Sequence, residues 1–333
     1  MTTKLSLSRR RFLQTMGAAG LATLAGRPAL SATGAYPDKP ITFICPWPAG
    51  GTADGTMRAL CNAASRAIGQ PIVFTNRPGA AGMIGTQALA TAKPDGYTIG
   101  QIPISVTRFH QLGTVQVDPL KDLTYIARTS GQTFGIAVLA NAPWKTLKEF
   151  VAHAKANPGK VTYSHSGIGG ATHVGMEEFA VAAGVQFNNI SYKGGADALT
   201  ALLGGHVDAL ADSSSWAPGV REGRLRLLAT WGEQRVPEFK DVPTLKDLGY
   251  NIVVDAPNGV GAPKGLDPAV SAKLRDAFKV AVASSEFASA CEKFDATLMY
   301  LDGPAYEKYV AQMYQKEKVL IERLKLRELI KKG

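Results

Sequence analysis

Two glycine-rich turns carry residue types at a spacing from which a binding chemistry can be read: Pro48-Ala-Gly-Gly-Thr-Ala-Asp54 and Ser166-Gly-Ile-Gly-Gly-Ala-Thr-His173. Each follows a strand-like run and precedes a helix-like one. A strand that turns through glycines into a helix leaves backbone N–H groups unpaired at the positive end of the helix dipole, and such a turn cradles anions. In the first turn Gly50 and Gly51 let the backbone close on a ligand, and Thr52 can cap the helix or offer its hydroxyl. Asp54 has two readings: a hydrogen-bond partner for a polar ligand group, or a complement to the dipole of its own helix. In the second turn His173 either donates to the ligand or packs and caps the helix.

Other chemistries fit these residues less well. A dinucleotide fingerprint would use Gly167 and Gly169, but its third glycine position is Thr172 and no well-placed acid follows; an anion-binding nest explains the same glycines. Ser164, His165, Ser166 and His173 crowd one loop as a hydrolase would require. Yet no G-x-S-x-G elbow occurs, and adjacent side chains of an extended segment face opposite ways. The five histidines are dispersed, with no H-E-x-x-H or C-x-x-C spacing, so neither a metal nor a cofactor is expected and the chain does not read as an enzyme.

The elements that must hold these turns alternate. Strand-length apolar runs fall at 41–45, 72–75, 98–104, 135–140, 161–164, 189–192, 207–211, 226–230 and 252–255. Helical patterns fall at 52–68, 147–156, 172–183, 196–203, 268–283 and 305–329. Such alternation predicts an α/β fold with mostly parallel sheets. The extended runs 131–142 and 250–263 read as two crossings between lobes. They divide the chain into a discontinuous lobe 1, residues 36–136 plus 257–333, and a lobe 2, residues 137–256, joined by a two-strand hinge.

Residues 1–35 read as an export signal. Ser8-Arg-Arg-Arg-Phe-Leu-Gln14 matches a twin-arginine pattern, ordinary Sec export being the alternative, and the apolar stretch behind it is interrupted by Gly17, Gly20, Gly26 and Pro28 before it could span a bilayer. The expected location is the periplasm, with the signal removed and no stable membrane anchor. That leader holds five basic residues and no acid, so its removal takes the formal charge from +10 to +5. The remaining cations form no stripe with interleaved aromatics, which argues against nucleic acid as a partner. Cys45, Cys61 and Cys291 are an odd set without metal spacing. Buried free thiols are expected, a Cys45–Cys61 bridge being the alternative.

Taken with Tyr192-Lys-Gly-Gly-Ala-Asp-Ala-Leu199, Asn76-Arg-Pro-Gly-Ala-Ala-Gly82, Lys93-Pro-Asp-Gly-Tyr-Thr98, Asp241-Val-Pro-Thr244 and Gly261-Ala-Pro263, the two turns give a chain that resembles, nearly end to end, the solute receptors of tripartite tricarboxylate transporters, the Bug or TctC-like proteins. The resemblance implies a type II periplasmic-binding-protein fold whose lobes close over a small carboxylated solute for delivery to membrane permease subunits, the receptor itself acting as a monomer. A ligand-sensing subunit of a signalling receptor is the alternative role, and an enzyme acting on a carboxylate a weaker one. Carried over by resemblance, the ligand-binding residues are Pro48, Ala49, Gly50, Gly51, Thr52 and Asp54 of the first turn and Ser166, Ile168, Gly169, Gly170, Thr172 and His173 of the second. Ser105, Tyr192, Lys193, Asp212 and Ser213 complete the set. Dicarboxylates, tricarboxylates, aromatic acids, acidic amino acids and amides of carboxylic acids all offer a group that these cradles accept.

Overall fold

The computed structural model describes residues 36–254 and 256–328, so the export-signal reading of residues 1–35 lies outside the described residues. The chain opens with a βα unit. Strand β1 (Ile41–Cys45) is apolar on both faces and almost wholly buried. It turns into helix α1 (Thr52–Ile68), whose buried Met57, Leu60, Cys61 and Ala64 recur at spacings of three and four along one stripe. The sequence then lays down β2 (Ile72–Asn76), α2 (Met83–Ala90), β3 (Thr98–Gln101) and α3 (Val106–Leu112).

Strand β4 (Leu123–Gln132) ends one residue before β5 (Phe134–Leu139) begins, and the two belong to different sheets. After β5 come α4 (Leu147–Ala156), β6 (Thr162–His165), α5 (Ala171–Ala183), β7 (Asn188–Ser191), α6 (Gly195–Leu203), β8 (Ala209–Ser213), α7 (Ala217–Arg221) and β9 (Leu225–Thr230). The chain re-enters the first sheet as β10 (Ala256–Pro263) and closes with α8 (Pro268–Val282), α9 (Ser285–Lys293), β11 (Thr297–Asp302) and α10 (Gly303–Arg323).

The first sheet has the order β11-β4-β10-β3-β1-β2 and the second β7-β6-β8-β5-β9. Both are mixed, not mostly parallel. Helix-linked neighbours such as β1 with β2 and β3, and β6 with β7, run parallel, as crossover connections require. The strands that pass between sheets have no such crossover: β10 runs antiparallel to β3 and β4, and β5 antiparallel to β8 and β9.

Other expectations are corrected at their ends. The run 98–104 leaves the sheet after Gln101, where Pro103 cannot donate to a ladder, and turns into α3. Residues 252–254 form no strand: the Val254 N–H is taken by the Trp231 carbonyl at 3.0 Å, and pairing resumes only at Ala256. The last helix stops at Arg323, before Lys325 takes a left-handed φ of 48°, well short of residue 329. Cys45, Cys61 and Cys291 are all free and buried, so Cys45 and Cys61 are not bridged.

Each sheet has its own core. Phe134, Phe150, Tyr163, Phe179 and Trp231 pack on one face of the second sheet, and Trp216 with Leu202 and Leu210 on the other. Ile102, Phe109, Tyr125 and Tyr306 gather on the first. A fully buried ring or branched chain contributes roughly 1.5–3 kcal/mol, so both sheets arrive at their loops as stiff platforms.

Candidate functional site

The first turn leaves β1 at Cys45 and reaches α1 through Gly50, at φ +87°, and an extended Gly51 that caps the helix without a side-chain bond. Its shape is fixed by Asp54. The carboxylate accepts from the Gly50 N–H at 3.0 Å, from Asn76 Nδ2 at 2.9 Å and from Arg58 Nη2 at 2.8 Å. Burial works against the charge, but these three donors outweigh it and hold the carboxyl below its usual range. Asp54 therefore stitches the turn, with both of its oxygens accepting from within the β1–α1–β2 unit. The hydroxyl of Thr52, only 2% exposed, has no hydrogen-bond partner among the described residues.

The second turn leaves β6 at His165 and reaches α5 through Gly167 and Gly169, both at positive φ, and an extended Gly170 that again caps without a side chain. Much of its polar capacity is spent internally. The Gly167 N–H donates to His165 Nδ1 at 3.2 Å, the Gly169 N–H to His173 Nδ1 at 3.1 Å, and the Gly170 N–H to the Gly167 carbonyl at 3.0 Å. The two imidazoles stack with centroids 4.8 Å apart, and accepting at Nδ1 requires both to be neutral. Burial pushes His165 down to about 4 and, with His165 and Arg108 adding repulsion, His173 down to about 3. Ser166 Oγ pairs with Thr172 Oγ1 at 2.8 Å, so the hydroxyl and imidazole groups of this loop do not form a nucleophile–base pair.

A third turn, from β7 through Tyr192 to Gly194, starts α6, also without a side-chain cap. It meets the first turn closely: a Cβ on Gly194 would lie 2.2 Å from Pro48 Cδ. The uncapped starts of α1, α5 and α6 thus converge on one narrow cavity of about 60 Å³, reached by Thr52, Thr172 and Ala196. First-turn amides of three helices, each at a positive dipole end, make its wall suited to an anion.

Of the residues expected at a ligand, Pro48, Gly51, Thr52, Ser105, Ser166, Thr172, Asp212 and Ser213 line this cavity. Ala49, Gly50, Asp54, Gly169, Gly170 and His173 do not; they shape the turns behind it. Ile168, Tyr192 and Lys193 line a separate cavity of about 740 Å³ alongside Ala81, Met83 and Phe109. Sequence reasoning missed Gln101, Gln132 and Asn258, which form a linked amide floor: Gln101 Nε2 and Gln132 Nε2 donate to Asn258 Oδ1 at 2.7 and 2.6 Å. Gln101 closes the strand-length run of β3 and is a position that the local pattern marks, whereas Gln132 and Asn258 lie in strands of mixed composition that gave no such signal. Asp212 is buried at the end of β8, accepts from Ser215 Oγ, and is pushed up to about 7 by its burial.

Residues 56–326 match the model of the tripartite tricarboxylate transporter family receptor, TctC. The chain is 43% identical over 323 residues to the UPF0065 protein in the gbd 5′ region of Cupriavidus necator, covering 96% of this chain and 99% of that one. Its fold is similar to the structure of a periplasmic transporter, with a TM-score of 0.83, 31% identity, and coverage of 86% of this chain and 98% of the other. It is equally similar to the periplasmic binding protein BugD, at a TM-score of 0.83, 27% identity, and coverage of 87% and 99%. The protein belongs to the TctC family of tripartite tricarboxylate transporter receptors.

Proposed function

We propose that this protein is a periplasmic solute-binding receptor that captures a small carboxylated organic anion and delivers it to the permease subunits of a tripartite tricarboxylate-type transporter. The observation that carries the reading is the convergence of three glycine-capped helix starts on one cavity, together with the buried, unpartnered hydroxyl of Thr52. A carboxylate placed there would receive backbone N–H groups and that hydroxyl, replacing water without needing a cationic side chain.

Capture follows from two-lobe closure. The lobes expected at 36–136 with 257–333 and at 137–256 meet slightly earlier at both crossings, since Phe134–Ile136 belong to β5 of the second sheet and Ala256 to β10 of the first, and the solute, by touching helix starts from both lobes, favours the closed arrangement by its differential contacts. The cleaved leader of residues 1–35 directs export, and among the described residues no helix is long and apolar enough to cross a membrane. The receptor works as a soluble monomer that meets its permease only when loaded.

The test is a thermal shift series on the chain without its first 35 residues, stripped of bound solute by partial unfolding. Mono-, di- and tricarboxylates are compared with sugars and nucleotides. Solute at 100 times its dissociation constant stabilises by about 2.7 kcal/mol, a shift of roughly 5 °C or more. A shift confined to carboxylates is the expected result. A shift only with nucleotides or sugars overturns the reading.

A further inference from the structure

Arg221, the last residue of α7, is anchored beside the second sheet and reaches the first. Its Nε donates to Glu238 Oε1 at 2.5 Å, a second bond runs from Nη2 to Glu238 Oε2, and the guanidinium lies over the Phe239 ring. The remaining bonds cap the C-terminus of α9, which leads into β11 of the first sheet: Nη1 donates to the Lys293 carbonyl at 2.5 Å, and Nη2 to the Glu292 carbonyl at 3.1 Å and to Asp295 Oδ2 at 3.0 Å. The turn so capped, residues 294–296, is held at two more points. The Asp295 carbonyl accepts from Thr133 Oγ1 at 3.0 Å, and Thr133 is the single residue between β4 and β5, where the chain first passes from one sheet to the other. Phe294 lies so close to α1 that a Cβ on Gly55, three residues past Thr52, would be 2.4 Å from its Cε2.

Two carboxyls share one guanidinium here. Glu238 and Asp295 both accept from Arg221 Nη2, one from beside each sheet, and the Asp295 side chain is only 7% exposed. Two carboxylates on one nitrogen repel unless a proton joins them. Burial, opposed by Arg221 and reinforced by Glu238, pushes Asp295 up to about 7, while its bonds to Arg221 hold Glu238 below the usual range. The other charged groups around the turn are engaged with one another or flank it on α9. Lys293 lies over the Phe294 ring next to Glu292, Glu222 pairs with Arg224 beyond α7, and Arg66 of α1 pairs with Glu286 at the opposite end of α9.

We propose, on the two-lobe closure described above, that this turn is a proton-operated clamp on the closed state: separating the lobes draws Asp295 away from Arg221 and Glu238, and the proton shared by the two carboxyls passes to solvent. Once apart, Asp295 returns to the ordinary carboxyl range of about 4. The closed form then holds a proton that the open form gives up, so closure is favoured most at acid pH. It loses favour by up to tenfold per pH unit as pH rises towards 7 and levels off above. Because Thr133 and Gly55 touch the same turn, the clamp bears on the hinge and on α1 together.

The test is small-angle X-ray scattering of the solute-free protein at pH 5.5 and pH 7.5. The expected result is a larger radius of gyration at pH 7.5. Asp295→Asn, whose amide can still donate to Glu238 and which suits the left-handed φ of 47°, should give the compact value at both pH values. Glu238→Gln, which leaves one carboxylate on Arg221, should flatten the response in the same way, and Arg221→Gln should give the expanded value throughout. A wild-type radius that pH leaves unchanged, or a response that persists in both Asp295→Asn and Glu238→Gln, overturns the clamp; contraction on adding one of the carboxylates of the thermal-shift panel would then leave the two-lobe reading intact. A radius that neither pH, Arg221→Gln nor any of those carboxylates moves overturns both.

Discussion

The two glycine turns are alike in sequence and are held by opposite means. The first is stitched from within its own sheet, since Asp54, Arg58 and Asn76 all belong to the β1–α1–β2 unit. The second, besides the bonds within its own loop, is also held from outside. Arg108 of α3 donates Nη1 to the Gly169 carbonyl at 2.9 Å, and its other nitrogens are clasped by Glu317 of α10 at 2.7 Å each. The same end of α10 reaches α5 again, through Arg323 paired with Glu178 and through Ile321 and Leu326 packed on Val174. A turn stitched locally keeps its shape whatever the other sheet does. A turn that also takes an arginine from the other lobe loses that hold when the two sheets separate.

The largest effect should come from breaking that outside hold. Arg108→Ala leaves Glu317, 4% exposed, as a buried charge without a partner and is expected to cost about 3–5 kcal/mol in chemical denaturation. Replacing both members by apolar residues, Arg108→Met with Glu317→Leu, should recover most of that stability and yet weaken solute binding, because Gly169 loses its donor. Recovery of both would show that the arginine serves stability alone.

Alanine at matched glycines sharpens the contrast. At Gly167, with φ +130°, a Cβ would lie 2.9 Å from the backbone of Ala81 on the facing sheet, whereas at Gly50, φ +87°, it would meet nothing within 4 Å. Gly50→Ala should cost only the ~1–2 kcal/mol of left-handed strain. Gly167→Ala should cost more and lower solute affinity as well, which melting and titration of the two variants will read side by side. Next in size, Asp54→Asn should cost about 1–2 kcal/mol near neutral pH. Because the native carboxyl sits below its usual range, that difference is present above the unfolded pKa and shrinks as pH falls through the native one.

The last effect, absent at neutral pH, belongs to the stacked histidines. Both are neutral in the fold and lie well below the ordinary 6.5, at about 4 and about 3, so the unfolded chain binds protons that the native one refuses. Stability from this pair is therefore complete above pH 6.5 and declines below it, by about 1 kcal/mol per ring between pH 7 and 5.5. His165→Asn with His173→Asn should flatten that decline in the pH dependence of the denaturation free energy.

How far the sequence spoke differs between the fold and the site. The βα units were legible because their apolar stripes have one period each, as α1 and α4 do over their full lengths. Strand β4 was not, since Arg128, Thr129, Ser130 and Gly131 interrupt its apolar pattern, and β10, Ala-Pro-Asn-Gly-Val-Gly-Ala-Pro, was legible as an extended crossing but not as a strand with β3 and β4 on either side. At the site, a glycine turn before a helix announces an uncapped N-terminus from local chemistry alone. What local chemistry could not reveal is where the remaining amides go: Asp54 turned inward, and the Gly169 carbonyl was claimed by Arg108, 61 residues away.

The most direct test is a crystal structure of the mature chain with the carboxylate that binds it best. The account predicts solute carboxylate oxygens within about 3 Å of backbone N–H groups at the starts of α1 and α5 and of the Thr52 hydroxyl. A solute seated instead in the larger cavity beside Tyr192 and Lys193, with the helix starts left to water, would contradict it.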